Sequence, residues 1–297
     1  MADILFVDTS IQVSKVLGSE EQKAQILTRL ERAEHVITSS YVLMEFNRRM
    51  LSDAVWLHGL IRDIRTLAEL LRRIAQGGFG RQKHNTILIF SQLLEGYSDG
   101  TLVMDTPEFW RKLVRILEYF IDWQLHRQFL MGIDLTLPSL INITKCSIAH
   151  QFPTKRRTKE GNTEFFYQYR KPKASVSEAN TCRRDEARCR LPQLLAEHDD
   201  ELLALERILE ERGANAELKK ASSALSQIRK HKKGWNAAKG SRNCWRLGDV
   251  IITLEIPEGY TLLTTNARHF VPLCSLRSPT PSAYGEALGK RFEILSL

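Results

Sequence analysis

Three short predicted strands constrain the fold most, because an apolar run in each of them gives way to polar residues. The strands are Ile4–Val7 before Asp8, residues 35–38 before Ser39, and residues 261–265, in which Leu262 and Leu263 give way to two threonines and then Asn266. A continuous apolar run of this length is typical of a parallel strand that is covered on both faces. Helical patterns lie between the runs, and this alternation predicts an α/β fold.

The segments between the predicted strands divide the chain into a core and an insertion. Helices are predicted over residues 20–33, from Tyr41 onwards, over 55–71 and over 107–130, and another is predicted after Pro138. Residues 1–150 and 236–297 are predicted to form the core. Residues 151–235 differ in composition and are predicted to be an insertion that is largely helical or irregular.

The composition limits the classes of partner and compartment. The chain has 297 residues and a formal net charge of +8, which favours nucleic acid or another anionic partner and also serves solubility. Five cysteines do not indicate a disulfide-stapled secreted domain. The first residues lack the features of a signal peptide, and no apolar run reaches the ~18–20 residues that span a bilayer. We therefore expect a soluble, cytoplasmic protein without membrane contact.

Polar side chains are predicted to meet where the parallel strands end. The candidates are Asp8, Glu45, Asp249 and the run Thr264-Thr265-Asn266. Ligands of open α/β sheets bind outside the carboxyl ends of the strands, and a cluster of oxygen ligands suits a hard cation such as Mg²⁺ or Mn²⁺. Such a cation supports phosphodiester hydrolysis. Taken singly, however, an acid at a strand end is more often a turn or helix-cap residue.

The order of these segments resembles that of the PIN-domain nucleases. The motifs that carry the resemblance are ILFVDTS, SSYVLMEF, LGDVIITLE and LLTTNARHF. They cover residues 1–50 and 241–297 well, with parts of 51–150 as the intervening helices. The resemblance implies a three-layer α/β/α core with a small central parallel sheet, and a metal-dependent endoribonuclease that cleaves single-stranded RNA.

The resemblance also implies roles for individual residues. The implied set comprises the metal ligands Asp8, Glu45 and Asp249, the fourth catalytic position Asn266, and the supporting residues Thr9, Thr264 and Thr265. The family commonly has Asp at the fourth position, so Asn266 removes one negative charge. We expect weaker binding of a second ion, hence a one-metal site or a preference for Mn²⁺. Arg268 and His269 follow directly, where they would contact substrate phosphates or be exposed.

The insertion mixes basic and aromatic residues in a way that is typical of binding to single-stranded nucleic acid. Arg156, Arg157, Arg170 and Lys171 are the predicted substrate-binding residues there. Cations hold phosphates, and aromatic rings stack on unpaired bases. A solvated loop whose aromatic rings pack onto the core is the alternative interpretation.

A second metal site is predicted from cysteine and histidine residues. Cys146, His150, Cys182 and Cys189 would satisfy tetrahedral Zn²⁺, and the polar segment 152–192 would gain stability from such a staple. The spacing is not a standard zinc pattern. Cys146 and His150 alternatively share a helix face.

Several functions remain open at this point. The main hypothesis is an endoribonuclease, and the resemblance adds a toxin or defence role, an inhibitory or activating partner protein, and a homodimer. A regulatory RNA-binding protein weakened by Asn266 is one alternative. A DNA nuclease with the same metal site is another, and a basic insertion that docks onto an acidic protein is a third.

Overall fold

The secondary structure alternates around one sheet at both ends of the chain. The computed structural model describes residues 3–77, 80–95, 104–134, 140–141, 143–146, 153–157, 163–167, 189–211, 216–239, 242–274 and 291–295. The strands are β1 (Ile4–Val7), β2 (His35–Ser39), β3 (Leu140–Ile141), β4 (Pro153–Arg157), β5 (Thr163–Tyr167), β6 (Thr261–Thr264) and β7 (Arg291–Ile294).

The helices that lie before the insertion are α1 (Thr9–Leu17), α2 (Glu20–Glu31), α3 (Ser40–Phe46), α4 (Ser52–Asp63), α5 (Leu67–Gln76), α6 (Gly80–Glu95), α7 (Pro107–Tyr119) and α8 (Leu125–Leu130). Three helices lie within the insertion, α9 (Leu191–Glu197), α10 (Asp199–Glu211) and α11 (Ala216–Lys230), and α12 (Arg242–Arg246), α13 (Gly248–Glu255) and α14 (Ala267–Cys274) follow it. The described residues also contain two π-helical turns, Asn47–Leu51 and Phe120–Gln124, and a 3₁₀ turn, Gly234–Ala238. Among the described residues, no helix combines the length and apolar character that a membrane span requires.

The main sheet is parallel throughout, with β1 at its centre. Its strand order is β3-β2-β1-β6-β7, and every neighbouring pair is parallel. β3 has only two residues and extends one edge. The α/β prediction is therefore confirmed, and all strands present their carboxyl ends at the same side of the sheet.

Side chains of β1 alternate between two hydrophobic clusters, one on each face of the sheet. Leu5 and Val7 pack with Ile26 of α2 in the smaller cluster, whereas Phe6 belongs to the larger cluster with Phe46 of α3. All five are at most 1% exposed. Fully burying a side chain of this size contributes about 1.5–3 kcal/mol. This arrangement is compatible with a three-layer α/β/α architecture.

The single helix predicted over 55–71 is wrong, since two helices occupy this range. Ile64 is extended, with φ −98° and ψ 150°, and Thr66 begins a new helix by accepting a hydrogen bond from the Glu69 N–H (3.2 Å). The Trp110 indole N–H donates to the Arg65 carbonyl (2.7 Å). These contacts satisfy backbone hydrogen-bonding groups at the break. The apolar periodicity therefore continues from α4 into α5 although the helix itself does not.

The helix predicted after Pro138 is also absent from the described part of that segment. Residues 143–146 are not helical. The Thr144 N–H donates instead to the Glu255 carboxylate (3.3 Å), and the Thr144 carbonyl accepts from the Arg190 N–H (2.9 Å). Tertiary hydrogen bonds thus replace the local bonds of a helix.

The insertion contains both a hairpin and helices that share the main core. β4 and β5 pair antiparallel, with Thr154 opposite Phe166 and Lys155 opposite Phe165. The helices α9–α11 contribute buried leucines to the larger cluster, which also holds Phe6 of β1. The helical part of 151–235 therefore packs directly with the predicted core.

Arg29 connects the two ends of the chain. From α2 it donates two hydrogen bonds to Asp3 (2.8 and 2.9 Å) and two to Glu293 of β7 (2.8 and 2.7 Å). A guanidinium binds two carboxylates in this way because its donors form a planar fork.

We predict that Arg29→Met lowers the free energy of unfolding by about 1–2 kcal/mol, since it removes charged hydrogen bonds in a partly exposed network. Urea titration measures the change. Arg32→Met, on an exposed residue just beyond the same helix, is the matched control and should change stability by less than about 0.5 kcal/mol. Equal losses in the two variants would contradict a special role for the network.

Candidate active site

A cavity of about 630 Å³ lies at the carboxyl ends of β1 and β6. Its walls include the predicted site residues Asp8, Thr9, Glu45, Asp249, Thr265, Asn266 and His269. Thr264 does not line the cavity but bonds to Asp8. The structure thus brings together segments that lie up to about 260 residues apart in the sequence.

Asp8 stands at the N-cap position of α1, but its side chain makes no capping hydrogen bond. Its Oδ2 atom instead accepts from the hydroxyls of Ser10 (2.7 Å) and Thr264 (2.6 Å). The register of the sheet explains the second bond, because Val7 pairs with Leu263 and the next residues of β1 and β6 are then neighbours. The carboxylate is therefore oriented by tertiary contacts and does not serve as a local helix cap.

The environment of Asp8 disfavours its negative charge. The side chain is almost fully buried, and burial raises its pKa from 3.8 to about 6, with smaller contributions in the same direction from Asp249 and Glu45. The hydrogen bonds from Thr264 and Ser10 oppose this shift. A cation beside the three acids would relieve both the repulsion and part of the burial cost.

Glu45 enters the cavity from α3. Ser39 caps this helix by accepting from the Val42 N–H (3.2 Å). The Thr9 hydroxyl donates to Oε2 of Glu45 (2.7 Å), and the Arg49 guanidinium bonds Oε1. Both carboxylate oxygens therefore have a protein partner.

Asp249 enters from the first turn of α13. A Cβ atom added to Gly248 would lie 4.0 Å from Oε1 of Glu45, so this helix begins beside the second acid. Oδ2 of Asp249 lies 2.7 Å from Nδ1 of His269. A carboxylate in the first turn also stabilises a helix, because it interacts favourably with the positive end of the helix dipole. Asp249 therefore has a structural role as well.

Asn266 and Asp249 share one nitrogen of His269. The Asn266 Nδ2 atom lies 2.9 Å from the same Nδ1, and its backbone N–H donates to the Thr264 hydroxyl (2.9 Å). One nitrogen cannot both accept from Asn266 and donate to Asp249. An ionised Asp249 requires a proton on Nδ1, so that His269 donates to the acid and the Asn266 amide has to turn its oxygen towards Nδ1.

The donor set fits a hard divalent cation, since it offers carboxylate and amide oxygens. In the part of the chain that the structure describes, however, no three His, Cys, Asp or Glu side chains form a metal-binding group. A cation would have to compete with Arg49 for Glu45 and with His269 for Asp249.

The residues predicted to bind substrate do not all reach the cavity. Arg268 is exposed and is not part of the wall. Arg156 and Arg157 belong to β4, which pairs with β5 in the hairpin. Arg170 and Lys171 lie outside the described residues.

Half of the predicted zinc set falls on described residues. Cys146 and Cys189 are thiols that pack against the larger hydrophobic cluster. A backbone hydrogen bond from Arg190 to Thr144 (2.9 Å) brings their two segments together. His150 and Cys182 lie outside the described residues, so the zinc site stays a prediction.

Several residues of the cavity wall are not among the site residues predicted from the sequence. Arg49, Trp245 and Arg246 line the cavity, together with Leu218 and Ala221 of α11. A signal existed for Arg49, because it lies four residues after Glu45 on a helical pattern. No local pattern marks the others, since their role depends on long-range packing.

We predict that Asp8→Asn stabilises the metal-free protein at neutral pH. The folded pKa of Asp8 exceeds its ordinary value, so the folded state binds more protons than the unfolded state between about pH 4 and 6, and stability falls as pH rises through that window. At pH 7.5 in EDTA the variant should be more stable by about 1–3 kcal/mol. The difference should shrink towards pH 4 in urea titrations. A variant that is less stable at every pH would contradict this.

No family model matches the chain, and neither a curated protein nor a solved structure matches it.

Proposed function

We propose that the protein is a PIN-like, divalent-metal-dependent nuclease that hydrolyses phosphodiester bonds in single-stranded RNA. The observation that carries the proposal is that Asp8, Glu45, Asp249 and Asn266 line one cavity. They come from four separate elements, at the sheet edge where α/β proteins bind ligands.

The chain's own residues would orient the site. Ser10 and Thr264 hold Oδ2 of Asp8, which leaves Oδ1 as the oxygen that takes a cation or a proton. Thr9 holds Glu45, and His269 holds Asp249. Mg²⁺ or Mn²⁺, when bound, would neutralise charge on the phosphate and lower the pKa of the attacking water.

The cavity wall also supports an anionic, extended substrate. Arg49 and Arg246 line it beside the acids, and the whole chain is basic, at +8. Leu218 and Ala221 belong to the insertion, so that segment borders the catalytic cavity. The insertion would thereby select the RNA or limit access to the acids. If the protein is a toxin or defence nuclease, a partner protein that covers the insertion would inhibit its activity.

A regulatory RNA-binding protein is the second candidate. The observation that favours it is that Glu45 and Asp249 are already paired with Arg49 and His269. If those pairs persist in the presence of Mg²⁺, the cavity would bind nucleic acid without cleaving it.

We predict that the native protein cleaves labelled single-stranded RNA in Mg²⁺ or Mn²⁺, and that Asp8→Asn lowers the rate at least about 100-fold by removing a charged oxygen from the metal site. Gel electrophoresis of the products measures the rate, and single-stranded DNA forms a second arm.

Asp63→Asn is the matched control, because Asp63 is an exposed acid at the end of α4. It should cleave as the native protein does. RNA binding without cleavage, in both native protein and control, would favour the regulatory candidate.

We predict that Asn266→Asp tightens Mn²⁺ binding at least about tenfold, since it adds a fourth carboxylate to the oxygen donors. Calorimetric titration measures the dissociation constant. Asn236→Asp, on an exposed residue of the 3₁₀ turn, should leave it unchanged. Unchanged affinity in Asn266→Asp would show that position 266 is not a ligand.

A further inference from the structure

Trp245 is a large aromatic side chain in the wall of the acidic cavity. It is 39% exposed, and it lines the same cavity as Asp8, Glu45 and Asp249. An indole of this size is usually buried, because its apolar surface is extensive. What sets it apart from other exposed aromatic residues is its place in the wall of a charged cavity, where its exposed surface is available to a ligand with a flat, apolar face.

The neighbours of Trp245 hold it against the helix that carries Glu45. The guanidinium carbon of Arg48 lies 3.9 Å from the centre of the indole ring, a cation–π contact. The Tyr41 hydroxyl donates to the Cys244 carbonyl (2.7 Å), which fixes the preceding residue. Trp245 is thus a preorganised surface whose position is coupled to α3.

The surroundings of Trp245 match a nucleotide in both size and charge. Arg246 follows it directly and lines the cavity, as does Arg49, so cations for phosphates lie beside a ring for a base. Asp249 is only four residues further along the chain, at the start of α13. An aromatic ring, cations and acids in one cavity of about 630 Å³ give room for a nucleotide and its neighbouring phosphates.

We infer that Trp245 is a stacking platform for one unpaired base of a single-stranded nucleic acid, with Arg246 and Arg49 on the adjoining phosphates. This inference rests on the proposed function, because it places the base next to the acids of the nuclease site. Aromatic stacking accepts any base, since every base has a π face. It excludes a duplex, whose bases are covered by their own neighbours. The site therefore selects single strands without selecting a sequence.

The test measures binding in EDTA, where no metal-dependent cleavage occurs. Fluorescence anisotropy of an end-labelled eight-nucleotide RNA gives the dissociation constant. Trp245→Ala should weaken binding at least about tenfold, whereas Trp245→Phe should stay within about threefold because the ring remains. Trp123→Ala is the matched control, since Trp123 is 53% exposed but lies outside the cavity wall; it should bind as the native protein does.

A set of RNAs with one abasic nucleotide at each position in turn isolates the stacking contact. At one position, the abasic nucleotide should weaken binding by the native protein by about the same factor as Trp245→Ala weakens binding of intact RNA. At that position it should cause no further weakening in Trp245→Ala. The inference would be overturned if the abasic nucleotide weakened RNA binding by the same factor in the native protein and in Trp245→Ala at every position. Binding that is unaffected in Trp245→Ala, or a native protein that binds no single-stranded RNA, would also overturn it.

These outcomes are distinct from those of the cleavage assay. Trp245-dependent binding without cleavage in Mg²⁺ or Mn²⁺ would remove the nuclease proposal and leave the stacking site standing. Metal-dependent cleavage by the native protein, together with normal RNA binding by Trp245→Ala, would remove the stacking site and leave the nuclease proposal standing. Thermal melting of each variant excludes unfolding as the cause of a loss.

Discussion

The pairing of β1 with β6 is the constraint on which the site depends. These strands are separated by more than 250 residues in the sequence, yet their parallel register sets Val7 beside Leu263. The register then fixes the hydroxyl of Thr264 at 2.6 Å from Asp8. A shift of one residue would turn Thr264 to the other face of the sheet and leave the buried carboxylate without this donor. Position and orientation of the first acid thus follow from the same backbone hydrogen bonds that hold the sheet together.

Burial gives that carboxylate its chemical character. A partly solvated acid at a strand end would ionise normally, but Asp8 lies in the interior, and its pKa is about 6. The neighbouring acids raise it further, and two hydroxyls oppose the rise. The fold therefore holds an unfavourable charge in place because many favourable apolar contacts surround it, as buried functional groups generally require. The stability of the sheet and the charge of the buried acid are in this sense opposed.

The sequence was sufficient for the parts of this arrangement that depend on local pattern. The apolar runs gave the strands β1, β2 and β6, and the polar residues after them identified the sheet edge, so Asp8, Glu45, Asp249 and Asn266 were all anticipated in one site. The break at Ile64 was not anticipated, because the apolar periodicity runs across it and outweighed the local cap at Thr66, and because Trp110, which also stabilises the break, is distant in the sequence. Trp245 and Leu218 were missed because neither belongs to a pattern that points towards the acids. His269 lines the cavity, and its contact with Asp249 was not anticipated because Asp249 lies 20 residues away in the sequence. Local sequence indicates which side chains end a strand, but the partner of each one is set by packing between distant segments.

The charge balance of the cavity gives a reason for an amide at position 266. Asp8, Glu45 and Asp249 already lie close enough for the latter two to raise the pKa of the first. A carboxylate at 266 would add a fourth charge and a second acceptor for the single proton on Nδ1 of His269. The metal-free fold would then carry more repulsion, and Asp249 would share its hydrogen bond. An amide keeps an oxygen donor in the wall without the fourth charge. In the proposed nuclease, Asn266 would therefore be a compromise between the stability of the metal-free fold and the affinity of the cavity for a cation, and not damage to a four-acid site.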